Sequence, residues 1–204
     1  RFCMEDAKIS IEQVDYITIS RDPHSNLFKK FIYSVTCSIS LSFIWDRLMN
    51  SFKVSSVKLE LSRVFKLPIS SIKAKLYNIE HHRSHIASSF FASRFKESAI
   101  LSIDGFGDFT STAWGVGDGA KINLENRIYF PHSLGIFYQA LTQFIGFHNY
   151  GDEYKVMGLA PYGEPVYADL IHENLINVAN DGSFRLNMSY FNYATGLTMT
   201  GLMR

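Results

Sequence analysis

Cysteine is nearly missing from this chain: only Cys3 and Cys37 occur in 204 residues. Two thiols without motif spacing exclude a disulfide framework and a cysteine-based zinc module, and leave a reducing cytoplasm as the default setting. An excess of charge is missing too. Twenty basic side chains against nineteen acidic ones leave a formal net charge of +1. That balance gives no electrostatic footprint for nucleic acid or an anionic membrane surface. There is no signal peptide, internal repeat or low-complexity linker. No apolar run reaches the roughly 20 residues that a bilayer span requires. Phe31–Trp45 is uncharged but falls short, and Lys29, Lys30, Asp46 and Arg47 bracket it. It predicts a buried or partner-covered helix, with membrane association as a lesser reading and no stable span. Hydrophobic residues make up 47% and charged residues 19%, which fits one or two compact domains with a real core. The chain opens on Arg1-Phe2 without an initiator Met and stops at Met203-Arg204, and so reads as a fragment.

Periodicity then sketches the elements. Ser10-Ile11-Glu12-Gln13 has capping-box spacing, and Asp15–Ser20 alternates as a strand. Ser56–Phe65 predicts a helix that Pro68 breaks, and Lys75–Ile79 a strand. His81–Phe95 predicts a helix whose small residues Ala87, Ser88, Ser89 and Ala92 let it pack closely on a flat surface, most simply a sheet. Ser98–Ile103 predicts a central strand, Gly105-Phe106-Gly107-Asp108 a turn, and Thr110–Val116 the hairpin partner. Gly117-Asp118-Gly119 turns again into Lys121–Tyr129. Ser133 caps a predicted amphipathic helix to Phe147, with Leu134, Phe137, Tyr138, Leu141, Phe144 and Ile145 on its apolar face. A surface helix from Pro165 to about Ala179 precedes two short strands, Phe184–Met188 and Tyr190–Tyr193.

Chemistry concentrates at Glu80-His81-His82-Arg83-Ser84-His85 and at Ser102-Ile103-Asp104-Gly105. His81 and His85 are four apart, so on a helix they project from one face and their imidazoles can close on one metal ion. Asp104, at the mouth of a strand, has the chemistry to add a carboxylate oxygen. Two nitrogens and one oxygen with open positions suit a catalytic metal better than a closed structural one. The same residues also admit a plainer reading. The chain has seven histidines, His82 can replace His81 in the pair or face solvent, and Asp-Gly is an ordinary turn. Glycines beside an acidic residue between two strands can cradle a phosphate through backbone N–H groups, although hairpins need the same residues. In Gly151–Gly163, Lys155 offers a charge to an anion; the alternative there is a helix with solvated charges and a Pro-Tyr-Gly stop.

Four ordered motifs carry a resemblance. They are His81-His82-x-x-His85, Asp104-Gly105-x-Gly107-Asp108, Ser133-Leu134-Gly135-x-x-Tyr138, and the thirteen residues Gly-Asp-Glu-Tyr-Lys-Val-Met-Gly-Leu-Ala-Pro-Tyr-Gly from Gly151 to Gly163. Together they resemble the nodulation-protein and antibiotic O-carbamoyltransferase family, from Arg1 to about Gly163 and more loosely beyond. The resemblance implies an α/β fold: an actin/Hsp70-like (ribonuclease H-like) lobe, with a mixed sheet flanked by helices and incomplete at both ends. It implies transfer of a carbamoyl group from carbamoyl phosphate, or from a carbamoyl-adenylate made with ATP, to a hydroxyl of a small-molecule acceptor in biosynthesis.

The resemblance also implies a divalent metal, iron by analogy with relatives, held by His81, His85 and Asp104, with His82 a neighbour rather than a ligand. Gly105, Gly107 and Asp108 then become donor or phosphate contacts, and Tyr154 and Lys155 line the donor pocket. No general base is identified. Family members carry a glycine- and histidine-containing turn upstream, a second lobe with another metal-binding aspartate, and often a carboxy-terminal domain. The chain is therefore expected to be part of the amino-terminal domain, binding metal weakly and inactive alone. Two rivals stand beside this expectation: a tRNA threonylcarbamoyl transferase-like enzyme, disfavoured by the missing basic excess, and a non-catalytic actin-like nucleotide-binding protein, which needs no imidazole pair.

Overall fold

The computed structural model describes residues 2–36, 57–149 and 151–193. The chain divides into two compact units, Arg1–His81 and His82–Arg204.

In the first unit a short helix α1 (Phe2–Asp6) precedes a single 3-10 turn, Ile11–Gln13, closed by the expected capping box at Ser10. Strand β1 (Tyr16–Ile19) follows, then α2 (Leu27–Thr36), α3 (Val57–Phe65) and β2 (Lys75–Asn78). β1 and β2 pair in parallel, with Tyr16 opposite Lys75 and Ile19 opposite Asn78. A parallel pair requires a long crossover, and residues 20–74 supply it. Ile11, Ile72 and Ala74 form the core, with Ile17, Leu61, Phe65 and Leu67 packed against them. Of the uncharged stretch Phe31–Trp45 only the first six residues are described; they end α2, where Phe31, Ile32 and Val35 are exposed. The remainder lies outside the described residues. Among the described residues no helix is long and apolar enough to cross a membrane.

The second unit is built on one antiparallel sheet. Helix α4 (His81–Phe90) leads into β3 (Glu97–Gly107), β4 (Thr110–Asp118) and β5 (Lys121–Tyr129), in the order β3-β4-β5. Helix α5 (Leu134–Phe144), α6 (Glu153–Leu159) and α7 (Ala168–Asn174) follow, and a small hairpin of β6 (Ile176–Val178) and β7 (Phe184–Leu186) closes the unit.

Strand side chains alternate between faces, and each face of this sheet has its own cover. On one face Ile86 and Phe90 of α4 bury against Ile100 and Ala113. Gly117 makes this close approach possible: a Cβ there would lie 2.7 Å from the Phe90 ring. On the other face Ile128 packs with Ala140 of α5 and with Ile176, Phe184, Leu186 and Phe191. Burying each of these larger side chains contributes about 1.5–3 kcal/mol. The flat surface expected beneath the histidine helix is thus this sheet.

Several boundaries shift. Parallel and antiparallel pairing fall in separate sheets, so among the described residues there is no single mixed sheet. Among the described residues only β4 pairs with β3, which there lies at the edge of its sheet rather than at the centre. The α4 helix stops at Phe90 instead of Phe95. The residues buried on α5 include Gln139 and Thr142, whereas Phe144 and Ile145 of the expected apolar face are exposed. The expected helix to Ala179 ends at Asn174, since 176–178 pair with β7, and 190–193 form no strand.

His132, between β5 and α5, ties the hairpin to the sheet. Its Nδ1 accepts from the Leu186 N–H at 3.2 Å, and its carbonyl accepts from the Ser111 hydroxyl at 2.6 Å. Burial, helped by the Arg185 charge, holds the imidazole pKa below its ordinary 6.5. The unfolded chain therefore takes up the proton first as pH falls. The stability supplied by neutral His132 is complete above about pH 6.5 and is lost as pH falls towards the folded value. Denaturant unfolding from pH 7.5 to 5 is expected to show this loss, and His132→Asn, which keeps an acceptor but cannot titrate, is expected to flatten it.

Candidate metal centre

The site starts from a buried histidine. His82 is wholly buried, with Nε2 3.0 Å from the Thr110 carbonyl oxygen and Nδ1 2.8 Å from the Ser102 hydroxyl. A carbonyl only accepts, so Nε2 carries the proton; in the neutral ring Nδ1 accepts from Ser102. His82 thereby ties α4 to both β3 and β4. An α-helix advances about 100° per residue. With His82 turned inward, His81 and His85 sit about 40° apart on one flank of the helix.

That flank meets the end of β3. His85 Nε2 lies 3.4 Å from Asp104 Oδ2, with the two side chains 52% and 39% exposed. One ligand atom from each of His81, His85 and Asp104 lies within 4.8 Å of the others. His81 is the first residue of α4, so the helix itself sets its position relative to His85. Within the first unit, His81 Nδ1 lies 3.3 Å from the Ser20 carbonyl oxygen. A proton held on Nδ1 by that carbonyl leaves the lone pair on Nε2, the arrangement common to metal-binding histidines. Donors on one divalent ion at about 2.0–2.2 Å stand roughly 3.0–3.4 Å apart, a spacing that His85 and Asp104 already have. The donor set therefore fits a divalent metal.

Asp104 is held closely. Its Oδ1 accepts from the Gly105 N–H at 2.6 Å. The Ser133 hydroxyl points at the Asp104 and Gly105 carbonyl oxygens, at 3.1 and 2.7 Å, while its oxygen caps α5 by accepting from the Ile136 N–H. Ser133 stood out in the sequence as a cap and as the first residue of the Ser133-Leu134-Gly135 motif. Its second role, on the backbone of a strand 28 residues away, had no local signal.

The other expected residues are distributed differently. Neither Gly105 nor Gly107 takes positive φ; the left-handed residues of the β3–β4 turn are Asp108 (φ 51°) and Phe109 (φ 73°). Gly107 pairs with Thr110 across that two-residue turn, and a tight hairpin of this kind requires positive φ at both central positions. The Gly105 N–H is engaged by the Asp104 carboxylate. Tyr154 and Lys155 lie on α6, and neither forms a hydrogen bond, ion pair or ring contact with the triad. Lys155 Nζ sits 2.7 Å from Asp152 Oδ1. The hydrogen bond from Lys155 holds the Asp152 carboxyl below the usual range, and the Lys155 ammonium is correspondingly favoured. The Lys155 charge thus meets a carboxylate of its own helix cap, and Tyr154 is 68% exposed.

Residues 1–203 of the chain match the family model described as the carbamoyltransferase N-terminus. The chain belongs to this family. It is 43% identical over 98% of its length to an uncharacterized protein of Synechocystis, and 30% identical over 91% to nodulation protein NolNO of Sinorhizobium fredii. Nodulation protein NolO of Bradyrhizobium diazoefficiens is 38% identical over 54% of the chain. The chain spans 33% of the length of the Synechocystis protein, 26% of NolNO and 20% of NolO.

Removing the His82 ring leaves a cavity and breaks its buried hydrogen bonds to Ser102 and Thr110. His82→Ala is expected to cost about 3–5 kcal/mol in denaturant unfolding. His81→Ala and His85→Ala, on the open flank, are expected to stay within about 1 kcal/mol of wild type.

Proposed function

We propose that this chain contributes the metal-holding part of an O-carbamoyltransferase. The donor is carbamoyl phosphate or a carbamoyl-adenylate made with ATP, and the acceptor is a hydroxyl on a small molecule. The observation that carries this reading is the convergence of His81, His85 and Asp104 in a chain of the carbamoyltransferase family. Sites of ordinary nucleotide-binding proteins have no need of paired imidazoles, and phosphates there are met by backbone N–H groups, lysine and magnesium.

In this reading His81 and His85 present neutral imidazole nitrogens and Asp104 a carboxylate oxygen to a divalent ion, which we assign as iron. When bound, that ion supplies Lewis acidity towards a phosphate or carbamoyl oxygen. His82 keeps α4 seated so that the pair faces Asp104. The Ser20 carbonyl sets the His81 tautomer. Gly105 orients Asp104 through its N–H, while Gly107 and Asp108, at the adjoining turn, are assigned to the donor phosphate. Tyr154 is assigned to the donor pocket, and Lys155 to shaping it through Asp152. The balanced charge argues against a nucleic-acid acceptor, and the scarcity of cysteine supports action in the cytoplasm.

An anaerobic Fe(II) titration of the chain against its His81→Ala/His85→Ala double variant tests the site. Saturable binding that weakens by about 100-fold or more in the variant is expected, since two of three ligands are gone. Equal binding in both proteins, or none in either, would remove the metal from this helix.

A further inference from the structure

Two residues of α5, Ser133 and Gly135, converge on one short piece of backbone. Ser133 shares its hydroxyl proton between the carbonyl oxygens of Asp104 and Gly105. Gly135, two residues further, leaves no room for a side chain. A Cβ there would lie 2.7 Å from the Gly105 nitrogen and 2.8 Å from the Asp104 carbonyl carbon and oxygen. Contacts this short with backbone atoms cannot be relieved by rotating a side chain, so helix and strand would have to separate. The nitrogen in question is the one whose N–H holds Asp104 Oδ1 at 2.6 Å. The other oxygen, Oδ2, is the one facing His85.

We propose that Ser133 and Gly135 are positioning residues for the Asp104 carboxylate: the start of α5 clamps the Asp104–Gly105 peptide, and through the Gly105 N–H aims Oδ2 at the histidine pair. This rests on the metal reading of His81, His85 and Asp104. It gives the Ser133-Leu134-Gly135 motif a task apart from substrate contact. Leu134 packs into the core on the α5 side of the sheet, Ser133 and Gly135 grip the strand, and Tyr138 reaches on to the Glu153 carbonyl at the start of α6.

Helix propensity sharpens the test. Alanine is the best helix former and glycine among the worst, so Gly135→Ala harms only through the contact with Asp104–Gly105. Anaerobic Fe(II) and Co(II) titrations of the full chain would compare wild type, Gly135→Ala, Asp104→Asn and their double variant. Ala140→Gly serves as a control that weakens α5 at a buried position away from Asp104.

Gly135→Ala is expected to weaken metal binding about 10–100-fold, the usual range for residues that orient a ligand. In the Asp104→Asn background it is expected to change affinity less than about twofold, because non-additivity marks residues acting through one another. Ala140→Gly is expected to lower the unfolding midpoint with affinity unchanged. Ser133→Ala, which removes the hydrogen bonds without adding bulk, is expected to follow Gly135→Ala and stands in for it should that variant not fold. Wild-type affinity in both Gly135→Ala and Ser133→Ala would overturn the clamp while leaving the metal site standing. An equal loss in the Asp104→Asn background, or an equal loss in Ala140→Gly, would overturn it too. Absence of metal binding by the wild type, or binding indifferent to His81→Ala/His85→Ala, would remove the metal reading and the clamp with it.

Discussion

The arrangement at the candidate centre depends on one buried imidazole. His82 bonds to Ser102 on β3 and to the Thr110 carbonyl on β4, so helix and sheet are held in one register. A buried polar ring is costly unless both nitrogens find partners. Other rotations of α4 would break both of these hydrogen bonds. Because the helix turns about 100° per residue, fixing His82 inward also fixes the flank on which His81 and His85 emerge. The most deeply buried of the three histidines thus sets where the other two point.

Around that clamp the sheet works as a platform with different cargo on each face. Gly117 removes the side chain that would collide with Phe90, so α4 lies close to the strands on one side. On the other side α5 begins at Ser133, pressed against Asp104–Gly105, and continues into a core shared with the β6–β7 hairpin. Asp104 lies at the end of β3 where both influences meet. Its carboxylate is held by its own neighbouring amide and directed towards His85. Short-range geometry, more than charge, makes the site: no excess of either sign accumulates in the chain. Within the Gly151–Gly163 motif the Lys155–Asp152 ion pair organises the start of α6 instead of reaching the triad.

Much of this was legible in the residues alone, and for a local reason. The i, i+4 spacing of His81 and His85, the cap at Ser133, the strand Lys121–Tyr129 and the capping box at Ser10 all follow from interactions within a few residues, which sequence spacing records directly. The ordered motifs likewise pointed to the carbamoyltransferase family. What misled was also local in origin. Gly105-Phe106-Gly107-Asp108 suggested the turn, yet strand pairing persists to Gly107 and the turn falls on Asp108 and Phe109, both at positive φ. Apolar residues at Phe144 and Ile145 suggested burial, yet Gln139 and Thr142 occupy the buried face of α5.

By itself, then, the sequence determined which side chains of metal-ligating type are present, their spacing along one helix, and the family to which the chain belongs. Only the tertiary structure decided which histidine turns inward, that Asp104 meets His85, and that Ser133 and Gly135 press on the Asp104–Gly105 peptide. These are contacts between residues about 20–30 positions apart. They are selected by the packing of helices onto a sheet, where each buried polar group must find a partner and each glycine marks a close approach. Spacing along the chain carries no record of that selection.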